Sequence, residues 1–231
     1  MKFNIYLFDL DGTLLHLGNI GVYVDIILEE TFKKLKASNP PGRIEKYRLW
    51  SPEENVFDVL TEWGVNNPQN FWKVFDKIDF TMRKKLINQK QIFLYSDVYS
   101  TLRMIHKQQE NKLAIVSNAA YYIVNYILDK FNIAQFFHEI FSLGYYENDQ
   151  ELAKPSPKGI LSVLEKFKFD LKKSKAIFIG DSKFDIIAAK RANINACLIR
   201  RETSPHNKHY KEWDFQPDFV IEGLNEIFLL I

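Results

Sequence analysis

Short apolar runs that end in small or polar residues and hand over to helical patterns recur along this chain. That alternation restricts its fold more than any other feature. The runs are 3–8, 113–116, 139–143, 176–179 and 196–199, with a last short one at 219–221. Helical patterns fall near 97–109, 120–130, 157–168 and 183–192. Strands alternating with helices predict an α/β fold, a doubly wound parallel sheet with helices on both faces. A chain of 231 residues accommodates one large domain, or a core domain with a smaller insert.

Residues 17–91 break the alternation. They hold no convincing strand and read as helices near 21–37, 43–50, 52–63 and 69–89. Ser51-Pro52-Glu53-Glu54 has the form of a capping box with proline at the first helical position, and Gly64 follows as a stop. Phe71, Val74, Phe75 and Ile78 recur at helical spacing. A helical block directly after the first strand predicts an α-helical cap domain at 17–91, inserted into an α/β core made of 1–16 and 92–231. Extra helices packed flat on the sheet are the alternative.

Composition removes several classes of function. An apolar fraction of 46% with 26% charged residues is ordinary for a globular protein. A net charge of +2 gives no reason to expect a nucleic-acid partner. No apolar run approaches the ~20 residues that span a bilayer, so no membrane partner is expected. Asp9 and Asp11 interrupt the apolar opening, which therefore does not read as a secretory leader. The single cysteine, Cys197, cannot form an internal disulfide, as expected of a cytoplasmic chain.

Four strand ends carry chemistry. The first is Asp9-Leu10-Asp11-Gly12-Thr13-Leu14. Carboxylates at i and i+2 on an extended segment point to one side, and Gly12 allows the chain to turn away. Close carboxylates repel unless a cation or a shared proton relieves them. The pair is either a divalent-metal site with a nucleophile or acid, or a polar turn with solvated acids. The second is Ser117-Asn118, a hydroxyl and an amide ahead of a helix. It is either a phosphate cradle or a helix cap. The third is Ala153-Lys154-Pro155-Ser156-Pro157, with Ser156 read as the N-cap and Pro157 as the first helical residue. Lys154 is either a phosphate-neutralising point charge or one more surface lysine. The fourth is Gly180-Asp181-Ser182-Lys183-Phe184-Asp185. Asp181 and Asp185 share a helical face, as a further metal carboxylate with its support, or Asp181 is an ordinary cap.

Taken together, the order and spacing of these segments resemble the haloacid-dehalogenase-like hydrolase superfamily. Asp9 to Leu14 matches its first motif, Ser117 the second, Lys154 the third and Gly180 to Asp185 the fourth. The resemblance spans essentially the whole chain. The insert lies where the helical-cap subclass carries its cap, and the layout is similar to phosphoglycolate-phosphatase-like members.

The resemblance implies a phosphatase acting on a small phosphomonoester, a phosphorylated metabolite, with Mg²⁺ as cofactor. Asp9 would be the nucleophile that forms an aspartyl phosphate, and Asp11 the acid and then the base. Asp9, the backbone carbonyl of Asp11, and Asp181 would hold the metal, with Asp185 in support. Ser117, the Asn118 N–H and Lys154 would bind phosphate. The run Leu15-His16-Leu17-Gly18 departs from relatives with a small polar residue there, so His16 either reaches the site mouth or lines the hinge. A phosphomutase of the same superfamily is an alternative activity, and a phospho-acceptor signalling module of the receiver type is one from a different class. A carbon–halogen hydrolase is disfavoured by Asp11. The joins near Gly18-Asn19 and Ser96-Asp97 would absorb cap motion.

Other residues are given bland roles. His206 and His209 read as a solvated loop, Cys197 as core, and Trp50, Trp63 and Trp72 as core or cap-to-core contacts, with a substrate-facing aromatic as the alternative for one of them. Arg43, Lys46 and Arg48 read as a solvated helix face. Neither the substrate nor the oligomeric state is legible.

Overall fold

The computed structural model describes residues 3–42, 44–50, 54–144, 147–202, 207 and 209–230. Arg43, Ser51, Pro52, Glu53 and His206 lie outside them, and with them most of the proposed capping box. The chain divides into two compact units, Met1–Gly18 with Ile92–Ile231, and Asn19–Gln91. Residues 17 and 18 thus group with the core.

The larger unit is built on a parallel sheet. Its strands are β1 (Ile5–Phe8), β4 (Lys112–Ala120), β5 (Glu139–Leu143), β6 (Ala176–Gly180), β7 (Asn195–Ile199) and β8 (Phe219–Ile221), in the order β5-β4-β1-β6-β7-β8. Phe8, the last residue of β1, pairs with Ile115 of β4 on one side and Ile179 of β6 on the other. The chain first fills the sheet outward from β1 through β4 and β5. It then crosses back and fills the other side. The reversal lies at β1, where open α/β sheets form a crevice beyond the carboxyl ends of their strands.

The helices of this unit are α4 (Val98–His106), α5 (Tyr121–Lys130), α6 (Lys158–Lys166) and α7 (Lys183–Arg191). Ile5 and Leu7 pack in one cluster with Ile160 and Val163 of α6 and Ile186 and Ala188 of α7. Tyr6 and Phe8 point to the opposite face and are equally buried. Strand alternation with both faces covered explains why these strands read as nearly continuous apolar runs.

One element was not legible in the sequence. β2 (Leu15–His16) and β3 (Phe93–Leu94) form a two-residue antiparallel ladder. Neither segment is long enough to show a period. His16 stacks on Phe93 with ring centroids 4.3 Å apart, and its Nδ1 accepts a hydrogen bond from the Gly18 N–H. It lines this stem.

The smaller unit is helical: α1 (Ile20–Lys34), α2 (Val56–Glu62) and α3 (Phe71–Asn88), with a 3₁₀ segment at Glu45–Trp50 in place of the helix expected at 43–50. Asn19 caps α1 and Asn55 caps α2 through their side-chain oxygens. Gly64, at φ +74°, turns the chain out of α2 as its position implied. Leu28, Phe32, Leu60, Trp63 and Phe71 form its core, with Trp50 and Trp72 packed against it. Lys46 is a correction. It is 7% exposed and bonds Asp25 and Glu29 at 3.3 Å each, so it is not on a solvated face. Arg48 is engaged as well, bridging Glu54 and Glu62.

Candidate active site

The turn after β1 is closed by its own backbone. The N–H groups of Leu14 and Leu15 both donate to the Leu10 carbonyl at 2.9 Å, and Gly12 N–H donates to Leu15 O at 2.8 Å. Gly12 sits at φ +75°, and a Cβ there would lie 2.7 Å from the Asp181 carboxyl carbon. Only glycine satisfies both demands. Asp9 is held from the other side, its N–H donating to Ile179 O at 2.9 Å.

Lys154 reaches into this crevice. It is 8% exposed, and its Nζ donates to Asp9 Oδ1 at 2.5 Å and to Asp185 Oδ1 at 2.7 Å. Burial alone would pull its pKa down. The attraction of Asp185 and Asp9 outweighs that, so the ammonium stays protonated above its usual range. It is not a surface lysine. Asp9 is held well above the ordinary carboxylate range, first by burial, with Asp185, Asp181 and Asp11 adding repulsion and Lys154 opposing.

Asp9, Asp181 and Asp185 are all buried and present ligand oxygens within 4.8 Å of one another. Three carboxylates against one ammonium leave a formal surplus of two negative charges (−3 + 1 = −2). A divalent cation would balance that surplus, and an all-oxygen donor set suits a hard ion such as Mg²⁺. Asp185 is largely spoken for. Its Oδ1 takes Lys154 and its Oδ2 accepts from Ser182 N–H and Oγ at 3.0 and 2.6 Å. Ser182, not Asp181, caps α7. A Cβ on Gly180 would overlap the Asp185 side chain, which is why glycine precedes Asp181.

Ser117 and Asn118 lie within β4, past the point where its register with β5 shifts. Neither caps α5, whose N-cap Ala120 makes no side-chain hydrogen bond. Ser117 is buried, and its Oγ accepts from Ala119 N–H at 3.1 Å. Asn118 does something the sequence did not reveal. Its Oδ1 accepts from Lys154 N–H at 2.8 Å and its Nδ2 donates to Lys154 O at 3.0 Å. It brackets the backbone of the lysine. Ser156 is a second correction: α6 starts at Lys158 with Pro157 as N-cap, one residue later than the sequence implied. Pro157 has no side-chain acceptor for a cap, and Ser156 Oγ accepts from Lys158 N–H only at a long 3.4 Å.

Asn207 was missed inside a stretch read as solvated loop. It is buried and donates to Asp181 O at 3.2 Å. His209 from that stretch is exposed beside Glu212. Cys197 is buried in β7, as expected. Burial pushes its thiol pKa up, away from reactivity. Among the described residues no helix is long and apolar enough to cross a membrane.

The model of the haloacid dehalogenase-like hydrolase family matches residues 6–199. The chain is 28% identical to the phosphoglycolate phosphatase of Haemophilus influenzae over 241 residues, covering all of this chain and 99% of that protein. It is 25% identical to the pyrophosphatase PpaX of Oceanobacillus iheyensis over 233 residues, covering all of this chain and 98% of that one. The solved structure of CbbY from Rhodobacter sphaeroides in complex with phosphate shares the fold, with a TM-score of 0.70 at 18% identity over 97% of this chain and 96% of that one.

Proposed function

Because the chain belongs to the haloacid dehalogenase-like hydrolase family, we propose that it is a magnesium-dependent phosphatase that cleaves a small phosphomonoester through an aspartyl phosphate on Asp9. The observation that carries this reading is the buried Lys154 bridge to Asp9 and Asp185 beside Asp181, with its surplus of negative charge. Relatives named for phosphoglycolate and pyrophosphate hydrolysis support phosphate chemistry.

In this reading the Asp9 carboxylate attacks phosphorus, and the ester oxygen leaves with a proton from Asp11. Asp11 then takes a proton from water as that water attacks the aspartyl phosphate, and inorganic phosphate departs. Ser117 and Lys154 hold the phosphoryl oxygens, and the Asn118 N–H adds a donor. Asp9, the Asp11 carbonyl and Asp181, with Asp185 in support, would hold Mg²⁺, which would supply positive charge against the repulsion between carboxylate and phosphate dianion. Asp185 keeps Lys154 extended toward Asp9, so its charge is in place before substrate arrives. Residues 19–91 serve as a cap that selects the phosphoester. The single buried cysteine suits a cytoplasmic setting.

The test is release of inorganic phosphate from a panel of phosphorylated metabolites with Mg²⁺, for wild type and Asp9→Asn. Wild-type turnover that the folded variant lacks is expected. The amide is nearly isosteric but a far poorer nucleophile. A folded Asp9→Asn protein with unchanged turnover overturns the assignment.

A further inference from the structure

We infer that Arg201 is a positioning residue that sets the Asp11 turn, an inference that rests on the phosphatase reading above. Arg201 follows β7 and is 8% exposed. Its Nε and Nη2 both donate to the Thr13 carbonyl, at 3.2 and 3.0 Å. Its Nη1 and Nη2 also donate to Asp97 Oδ2 and Oδ1, at 2.8 and 3.0 Å. The guanidinium lies over the Tyr95 ring, 4.0 Å from its centroid. Asp97 Oδ2 in turn accepts from Leu224 N–H at 2.6 Å. The Arg201–Asp97 pair thus ties the turn after β1, the segment after β3, the end of β7 and the C-terminal 3₁₀ segment Leu224–Leu229.

The geometry makes the tie selective. The turn from Leu10 to Leu15 is closed by three internal backbone bonds, so it moves as a unit. Two of its carbonyls are tied from outside the turn: Thr13 O by Arg201, and Leu14 O by Tyr95 N–H at 3.1 Å. Thr13 Oγ1 is buried without a hydrogen-bond partner among the described residues, so the carbonyl is that residue's polar handle. Asp11 lies two residues from Thr13 inside this unit. Asp9 lies before the turn and is held separately by the Ile179 carbonyl and Lys154. Loss of Arg201 therefore frees the acid more than the nucleophile. Asp97 neutralises the guanidinium, so Arg201 acts by geometry and not by lending charge to phosphate. The same pair ties Asp97 to the core unit.

The experiment compares kcat/KM of Arg201→Met and Arg201→Lys with wild type on an alkyl phosphate and on p-nitrophenyl phosphate. For a double displacement this ratio reports steps only up to departure of the alcohol. An alkoxide needs the proton from Asp11, whereas nitrophenolate leaves readily without it. Misplacing a catalytic group by about 1 Å costs on the order of 10²-fold. Arg201→Met should lose ~10- to 100-fold more on the alkyl ester than on the aryl ester. Arg201→Lys should behave like it, because an ammonium cannot span Thr13 O and both Asp97 oxygens. Equal losses on the two esters, or full recovery in Arg201→Lys, overturn the inference. If Arg201→Met does not fold, Arg201→Met with Asp97→Asn removes the stranded carboxylate and keeps an acceptor for Leu224, and the same comparison decides. Amide exchange at Gly12, Leu14 and Leu15 is read in parallel and should quicken in Arg201→Met. Unchanged exchange overturns the tie even if the wild type hydrolyses no phosphoester, a result that would separately refute the phosphatase reading.

Discussion

Asp76 should cost the helical unit stability at neutral pH, and Asp76→Asn should recover it. Asp76 sits on α3, half-buried, one turn before Asp79. Burial first, and then the charge of Asp79, push its pKa from 3.8 up to about 7, with Arg83 opposing. Arg83 cannot relieve it fully, because its Nε is directed at both oxygens of Asp79, at 2.8 and 3.0 Å. Tyr23 also spends its hydroxyl on Asp79, at 2.5 Å. An acid whose pKa is raised on folding binds its proton more tightly in the native state. Stability from this group is therefore fully present below pH 3.8 and is lost as pH rises through about 7. A shift of about three units at about 1.4 kcal/mol each gives at most ~4 kcal/mol. Solvent reaching the carboxylate brings the expected difference down to about 1–3 kcal/mol. Denaturant unfolding of wild type and Asp76→Asn, followed from pH 4 to 8, measures it. The variant should match wild type near pH 4 and exceed it by that margin at pH 8. Parallel stability curves across the range would refute the reasoning, since the gain would then not arise from titration.

The other predictions concern the site. Activity should vanish in excess chelator and return with Mg²⁺ but poorly with Ca²⁺, whose longer bonds and larger ligand number suit the carboxylate cluster less; a steady-state phosphate assay reads this. Asp11→Asn should lower turnover by ~10²–10⁴-fold, with single-turnover kinetics showing both formation and breakdown of the phosphoenzyme slowed, because an amide serves as neither acid nor base. Asn118→Ala removes both bonds to the Lys154 backbone. It should raise KM for phosphate esters and lower kcat by about 10-fold or more without unfolding the chain, and wild-type constants would show that the bracket is dispensable.

Much of the core was legible because its signals are local. The strand ends carrying Asp9, Ser117 and Asp181 stand out as apolar runs that stop at a polar residue, and buried parallel strands have that pattern. Gly12 was readable as a turn, but that it and Gly180 must leave room for the Asp181 and Asp185 carboxylates is a tertiary fact. Helix starts were less secure. Ser182 could be read as easily as Asp181, and Pro157 displaced the cap expected at Ser156. Competing oxygens one residue apart differ in backbone angle, not in composition. The insert showed its helical periods, but Glu45–Trp50 was too short for period to separate 3₁₀ from α.

Residue types and their order along the chain determined the alternating architecture, the helical insert and the set of acids at the strand ends. Tertiary structure alone decided which partners those side chains take. Asn118 meets a backbone 36 residues away, Arg201 reaches Asp97 across 104 residues and Thr13 across 188. Lys46 and Asn207 are polar residues in polar surroundings by sequence, yet both are buried with partners. Periodicity reports only which face of an element avoids water. The pairing of polar groups depends on where separate elements converge, and burial then makes that pairing obligatory, because an unpaired polar group away from water is costly.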